Sequence, residues 1–599
     1  MQHSGVFGRK TTIGVLSALL LFNSFVFALD STKYISVDEI RTDMEAYCLT
    51  VYSGTTVERF DLKILSVVKK SNPGRNMILV EGLDGRFKHS SAVHGCSGSP
   101  VFIDGRLAGA LAAGWDGSLD SLYLVRPIEE MLETGAAAAS TGQAGEVSLA
   151  CEYDYCKPID LDAFLQENLD VIRRHQNQMG PHMALPLAMS LPPEVCENNR
   201  DTFEQMGFMP FAVSGDVLSE TESDIKLERG GTLSVVLCGG DISMSGIGTV
   251  TEIVGDQVYG FGHSFTGMGA VNFPMAAGVI HTVVAHRRSS FKLGTAGPIQ
   301  GTLLFDQAAS VMGTIGQKPS TIPLKINVKR YNDPKDRSYN CFLAVDRNYT
   351  PRILMAALDG AGQMQGELPF EHAVTYECKI AVHGLKPIQI HNISSGQGLM
   401  QAISETGSAT GLLLNNPFEE VAIESIEADF EITPEDRLSS VWSADVSQTT
   451  LKPGQSVSVG VTLKSRRAEE KVVNLSLDIP ADLPKGQYTL QVLGPAQYQQ
   501  FVRQTAPQQF LAVDITTLHA ALQNIFKKRR DRLYVVMQVP STGVVIRQHE
   551  LADLPPSKML LMQDAKRLIP VEPYKNWVEN SIEIDRIVDG EVKIELTVE

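Results

Sequence analysis

At 599 residues the chain exceeds what one hydrophobic core can organise, and domains of about 100 to 200 residues predict three to five of them. Hydrophobic residues make up 43%, charged residues 20% and aromatic residues 7%, the composition of a folded globular protein, and 50 glycines favour turn-rich β structure. The net charge of -17 excludes a sequence-independent grip on nucleic acid, which needs clustered Lys and Arg to displace counterions from phosphates.

In chain order, Arg9-Lys10 precede an uncharged stretch, Thr11 to Leu29, with an apolar centre from Ile13 to Leu21 and the small-residue pattern Val26-Phe27-Ala28. This predicts a signal peptide over residues 1–28, cleaved on export to the periplasm, cell envelope or outside, although retention as an anchor stays open. Residues 30–135 alternate short β-rich runs with turns: Phe60 to Val68, Met77 to Val80, and a hairpin in which Asp104-Gly105 joins Val101–Ile103 to Leu107–Ala112. Residues 136–225 read as linker and connector, with an amphipathic helix from Leu161 to Gln178. A second β region, 226–330, holds strands Leu233–Cys238, Thr249–Val254 and Gln257–Phe261. Residues 331–430 are mixed, with strands near Cys341–Val345, Ala373–Val382 and Val421–Ala428 and a helix between Ser394 and Ser404. Residues 431–500 have the rhythm of an immunoglobulin-like sandwich, and 501–599 read as a small α+β piece with a helix from near Thr516. The basic run Lys527-Lys528-Arg529-Arg530 closes that helix, where cations complement its dipole. Eight cysteines leave stability to the cores, with Cys151 and Cys156 the best local disulfide pair. The three tryptophans, Trp115, Trp442 and Trp577, are too scattered for an aromatic platform and are expected in cores.

The segment Gly95-Cys96-Ser97-Gly98-Ser99-Pro100 places a hydroxyl between glycines, on a tight turn whose amides near Gly95 and Ser97 can converge on an oxyanion, with the following hairpin as rigid support. It resembles the nucleophile strand and hairpin of chymotrypsin-like peptidases. More closely it resembles the SpoIVB-type peptidase domain, whose signature reads Gly-Met-Ser-Gly-Ser-Pro, with Cys96 here in place of Met. Asn72 to Val80 is similar to the lead-in of long exported bacterial relatives, and Val125 to Met131 to the end of their nucleophile region. Gly260-Phe261-Gly262-His263-Ser264-Phe265 resembles the family's Gly-His element, and the glycine-rich segments at 239–250 and the segments at 290–294 and 301–306 continue the likeness. Together the similar stretches cover roughly residues 45–135 and 226–328.

The resemblance implies a mainly β, multidomain protein with two chymotrypsin-like β-barrel halves, Ser97 as nucleophile, His263 as general base, and Gly95 and Ser97 amides as the oxyanion hole. In the sporulation peptidase the histidine precedes the serine; here Ser97 comes first, so the barrels are expected in exchanged order. The acid that orients the imidazole is open between Asp306, ranked ahead, and Asp84, which lies shortly upstream of the serine as an acidic residue does in the sporulation enzyme. His89 and His94 are alternative bases but lack glycine flanks; Cys96 reads as a small core residue, and His281 and His286 as structural or surface positions. The expected activity is cleavage of protein or peptide substrates through an acyl-enzyme, without a metal or organic cofactor. The alternative is an inactive peptidase-fold scaffold that binds a partner in the cell envelope.

Overall fold

The computed structural model describes residues 29–72, 75–136, 152–178, 184–213, 224–396, 398–465, 470–562 and 571–599. The expected signal peptide, most of the 134–145 linker and Cys151 lie outside them; the other seven cysteines are free thiols.

The first β region closes on itself. Strands β1 (Glu45–Val51), β2 (Val57–Asn72), β3 (Arg75–Gly82), β5 (Pro100–Ile103), β6 (Arg106–Gly114) and β7 (Leu122–Pro127) form a barrel in the order β1-β2-β3-β7-β6-β5, while the two-residue β4 (Val93–His94) stands outside it. Alternating apolar side chains such as Phe60, Leu62 and Ile64 fill the interior with Ile78, Val80, Val101 and Val125. The expected hairpin is present: Asp104 (φ 50°) and Gly105 (φ 76°) are both left-handed, as a two-residue turn with the twist of the flanking strands requires.

The connector holds the helix Leu161–Gln178, as its periodicity predicted, two short helices, and strands β8 (Leu185–Met189) and β9 (Phe208–Ala212). Then come β10 (Thr232–Gly240), β11 (Met244–Val254), β12 (Gln257–Gly260), β13 (Gly269–Val284), β14 (Ser290–Gln307) and β15 (Ser310–Ile315). Their pairings run β10-β13-β14-β15-β12-β11 and back to β10, a second six-stranded circuit. The protein is thus mainly β, with the serine barrel ahead of the histidine barrel.

The second circuit is part of a larger sheet. On one side β11 pairs with β8; on the other β10 pairs with β17 (Arg337–Ala344), followed by β16 (Thr321–Arg330), β20 (Ile423–Thr433), β18 (His372–Val382) and β19 (Ile388–Gly396). Helices Thr350–Gln363 and Gly398–Leu414 pack on this extension, and one hydrophobic cluster runs from the second barrel through it to the helix Ile515–Phe526.

Two further sheets form a sandwich: β21 (Leu438–Val446), β23 (Ser456–Ser465), β24 (Lys471–Asp478) and β31 (Ile587–Asp589) face β22 (Thr450–Leu451), β25 (Gly486–Leu493), β26 (Arg532–Val539), β30 (Asn576–Glu583) and β32 (Glu591–Val598) across a core of Val457, Val461, Leu490 and Leu533. The strands expected within 431–500 therefore share both sheets with strands from the C-terminal piece. The basic run is built into this end of the molecule: Arg530 pairs with the buried Glu405, and Lys528 lies over the Tyr498 ring. Two tryptophans depart from the core reading. Trp442 is mostly exposed beneath Lys464 and Trp115 is half-exposed, because each sits on the outer side of a strand or in a surface loop.

Candidate active site

The serine lies in the turn that joins β4 to β5. Gly95 (φ 93°) and Gly98 (φ 94°) are left-handed, and the Cys96 amide donates to Val93 O (3.1 Å) and the Ser99 amide to Cys96 O (3.0 Å), so the chain reverses within a few residues. Cys96 and Gly98, whose amide donates to Leu111 O (2.7 Å), are thereby removed as oxyanion donors. Strand β11 of the other barrel takes hold of the turn's carbonyls. The Thr249 amide donates to Ser97 O (2.9 Å), the Thr249 hydroxyl to Gly95 O (3.0 Å), and the Thr251 hydroxyl to Gly98 O (2.7 Å). Gly98 lies so close that a Cβ there would stand 2.0 Å from Thr249 O and 2.6 Å from Phe261 N.

The histidine follows β12. Phe261 (φ 61°) and Gly262 (φ 68°) turn the chain sharply, with the Phe261 ring buried over Gly248. A Cβ on Gly262 would stand 3.1 Å from Leu111 O, the same carbonyl that receives the Gly98 amide. The neighbours of Ser97 and of His263 therefore meet at one atom, on the seam between the barrels. Arg126 of β7 adds a contact from its Nε to Gly262 O (3.4 Å). Ser97 is 2% exposed and His263 5%.

His263 Nδ1 lies 2.7 Å from Ser264 O. A carbonyl only accepts, so Nδ1 carries the proton and Nε2 is the basic nitrogen of the neutral ring. Asp306, on β14, is fully buried and organises the next residues: it accepts from the amides of Phe265 (2.6 Å), Thr266 (2.5 Å) and Gly267 (2.7 Å) and from the Thr266 hydroxyl (2.7 Å). Burial raises its pKa above the ordinary carboxylate value against the pull of those four donors. Its oxygens thus fix the loop that presents Ser264 O to the imidazole. Asp84 stands elsewhere, as the N-cap of the helix Gly85–Ser90. Burial works against its charge, but the bonds from the Arg86 amide (2.8 Å) and guanidinium (3.2 Å) hold its carboxyl below the ordinary value.

The other nucleophile and base candidates are otherwise engaged. His94 is buried with Nδ1 2.7 Å from Ala184 O and Nε2 2.7 Å from Asp116 Oδ1. The Cys96 thiol is buried and burial pushes its pKa up, away from a reactive thiolate. His281 bonds Thr295 at the surface, and His89 lies in the last turn of the helix Gly85–Ser90. Among the described residues no three His, Cys, Asp or Glu side chains gather as around a metal ion.

One ionisable group beside the serine escaped the sequence reading. Lys292 of β14 is fully buried, its stem packed under Gly95 and its Nζ donating to the hydroxyls of Thr50 (2.8 Å) and Thr249 (3.1 Å).

Residues 2–118 match the SpoIVB peptidase S55 family. The match takes in roughly a fifth of the chain, including Ser97, Asp84 and most of the first barrel, and ends before the histidine barrel begins. It makes the chain similar to a peptidase family, whose substrates are proteins. No curated protein and no solved structure matches the chain. Among the described residues no helix is long and apolar enough to cross a membrane.

Proposed function

We propose that the protein is an exported serine endopeptidase in which Ser97 attacks the scissile carbonyl and His263 Nε2 takes the serine proton, then returns it to the leaving amine. Water deacylates the enzyme by the same route. The Gly95 and Ser97 amides receive the oxyanion, and Asp306 serves as a positioning residue that secures the Ser264 carbonyl against Nδ1. Asp84 then stabilises the helix leading into the serine strand. The observation that carries this reading is the convergence on Leu111 O of the residues next to Ser97 and His263, from barrels that are far apart in sequence. Export rests on the expected signal peptide and on the family match.

A second reading, a peptidase-fold scaffold holding an envelope partner, is favoured by the near-complete burial of both side chains, which a substrate must first uncover. A fluorophosphonate probe separates the two. On the signal-free protein, labelling mapped to Ser97 and abolished in both Ser97→Ala and His263→Ala is the expected outcome; an unlabelled but folded wild type would leave the scaffold.

A further inference from the structure

Two of the free thiols are neighbours. Strands β10 and β17 join in a ladder of three residue pairs, Cys238–Leu343, Gly239–Phe342 and Gly240–Cys341, and at this short ladder the second barrel continues into the outer sheet. Side chains alternate along a strand, so Cys341, opposite Gly240, lies on the same face as Cys238, while the Phe342 ring covers Gly239 on the other. On regular strands such a diagonal pair stands at the outer limit for a bridge between sulfurs. Gly240 removes that obstacle. It is left-handed (φ 107°) and has no side chain, and β10 comes in so closely there that a Cβ would stand 2.9 Å from Cys341 Cα.

The chain then turns at Ile242, which both sulfurs touch. Cys238 Sγ donates to Ile242 O (3.4 Å), and Cys341 Sγ accepts from the Ile242 amide. The two thiols also interact directly, and unequally. The Cys238 S–H, helped by the Ile242 and Asp241 amides, holds Cys341 below the ordinary thiol value against its burial, whereas its neighbour Cys341 and burial together push Cys238 well up. Cys341 is also the one that meets solvent, 9% exposed against 0% for Cys238. The accessible sulfur is thus the readier thiolate, and the covered one holds its proton in reserve.

We propose that Cys238 and Cys341 close to a disulfide when the chain meets a disulfide oxidant in the compartment to which it is exported, clasping the histidine barrel to the sheet that extends it. The Cys341 thiolate attacks one sulfur of the oxidant, giving a mixed disulfide and expelling a thiolate that takes up the Cys341 proton. Cys238, its proton passing to the second leaving thiolate, then attacks Cys341 Sγ and releases that thiolate. The protein loses two hydrogens, which leave on the two thiols that the oxidant becomes. The bond joins residues about 100 apart, so it restrains the unfolded chain over a long loop and reinforces a ladder of only three pairs. The proposal rests on the export reading and is independent of the chemistry at Ser97.

The test equilibrates the reduced, signal-free protein with glutathione at a series of oxidised-to-reduced ratios, alkylates the remaining thiols in denaturant and maps the peptides by mass. At the ratio of an export compartment the peptides holding Cys238 and Cys341 are expected to be linked, with both lost to alkylation and with a thermal midpoint above that of the reduced protein. Cys238→Ala is expected to trap glutathione on Cys341, and Cys341→Ala to leave Cys238 unmodified, because only Cys341 makes the first attack. A folded wild type in which both stay open to alkylation across the series, or in which other cysteines are linked instead, overturns the proposal. If either variant does not fold, the wild-type map alone decides. Leader cleavage in cells is a separate measurement: an uncleaved, cytosolic chain whose pair still closes in glutathione sinks the export reading and supports the thiol chemistry.

Discussion

Asp306 contributes to the site through the backbone rather than through the imidazole. Its carboxylate receives three amides and a hydroxyl in a dry environment, so Asp306→Asn puts an NH2 group against donors that need an acceptor. A loss of about 2 to 4 kcal/mol in unfolding free energy is expected, measurable by denaturant titration, with slower labelling at Ser97 in whatever folds. Ser97, Gly95 and His263 stood out as candidates because glycines mark their segments, and the structure sets Ser97 and His263 on the seam between the barrels. Lys292 did not, for a definite reason. In Ser290-Phe291-Lys292-Leu293-Gly294 the apolar residues alternate with polar ones, and the ordinary reading turns Phe291 and Leu293 inward. The strand does the reverse, burying Ser290, Lys292 and Gly294 and leaving Phe291 and Leu293 partly exposed, because that face of β14 meets the serine turn and not a hydrophobic core. The orienting acid was left undecided between two aspartates because a main-chain carbonyl stands at Nδ1, and a carbonyl has no signature in sequence.

Elements were read better than their partners. The hairpin at Asp104-Gly105 and the helix Leu161–Gln178 follow from local chemistry and appear as expected. The helix Thr350–Gln363 went unassigned because Gly360 and Gly362 look like breakers; in place, they admit Leu191 and Leu399, whose carbons would lie 2.3 and 2.6 Å from an added Cβ. The same distinction between glycines for turning and glycines for contact makes a prediction. Gly105→Ala meets nothing within 4 Å and bears only the strain of its positive φ, so about 1 to 2 kcal/mol is expected. Gly98→Ala drives a methyl into Thr249 O and Phe261 N, and a loss of about 4 kcal/mol or more is expected, with the seam between the barrels opening first. Calorimetry of the two variants beside wild type checks the ordering.

Across the whole molecule, the C-terminal region is tied to the sheet that extends the second barrel by a charge cluster. Arg530 reaches Glu405, on the helix Gly398–Leu414, and Tyr376 of β18, whose hydroxyl donates to Glu405 Oε2 (2.5 Å). Arg530→Met strands the carboxylate and is expected to cost about 3 to 5 kcal/mol, whereas the double variant with Glu405→Gln should recover a large part of it, as a double-mutant cycle in urea would read out. Of the sandwich strands, β23, β24, β25 and β26 follow from local pattern, yet β25 takes β32 as neighbour and β26 takes β30, pairings too distant in sequence for local patterns to reveal.

The division of the site between two barrels has a consequence in time. A ribosome that has released only the first barrel has delivered Ser97 and the strands of that barrel, but not Thr249, Thr251 or Lys292, which pack on the serine turn from the second, nor His263. Until those residues emerge, the serine turn is not held from the second barrel, and the proposed nucleophile has no base. On the proposed mechanism, synthesis order alone keeps the nascent chain from cleaving itself.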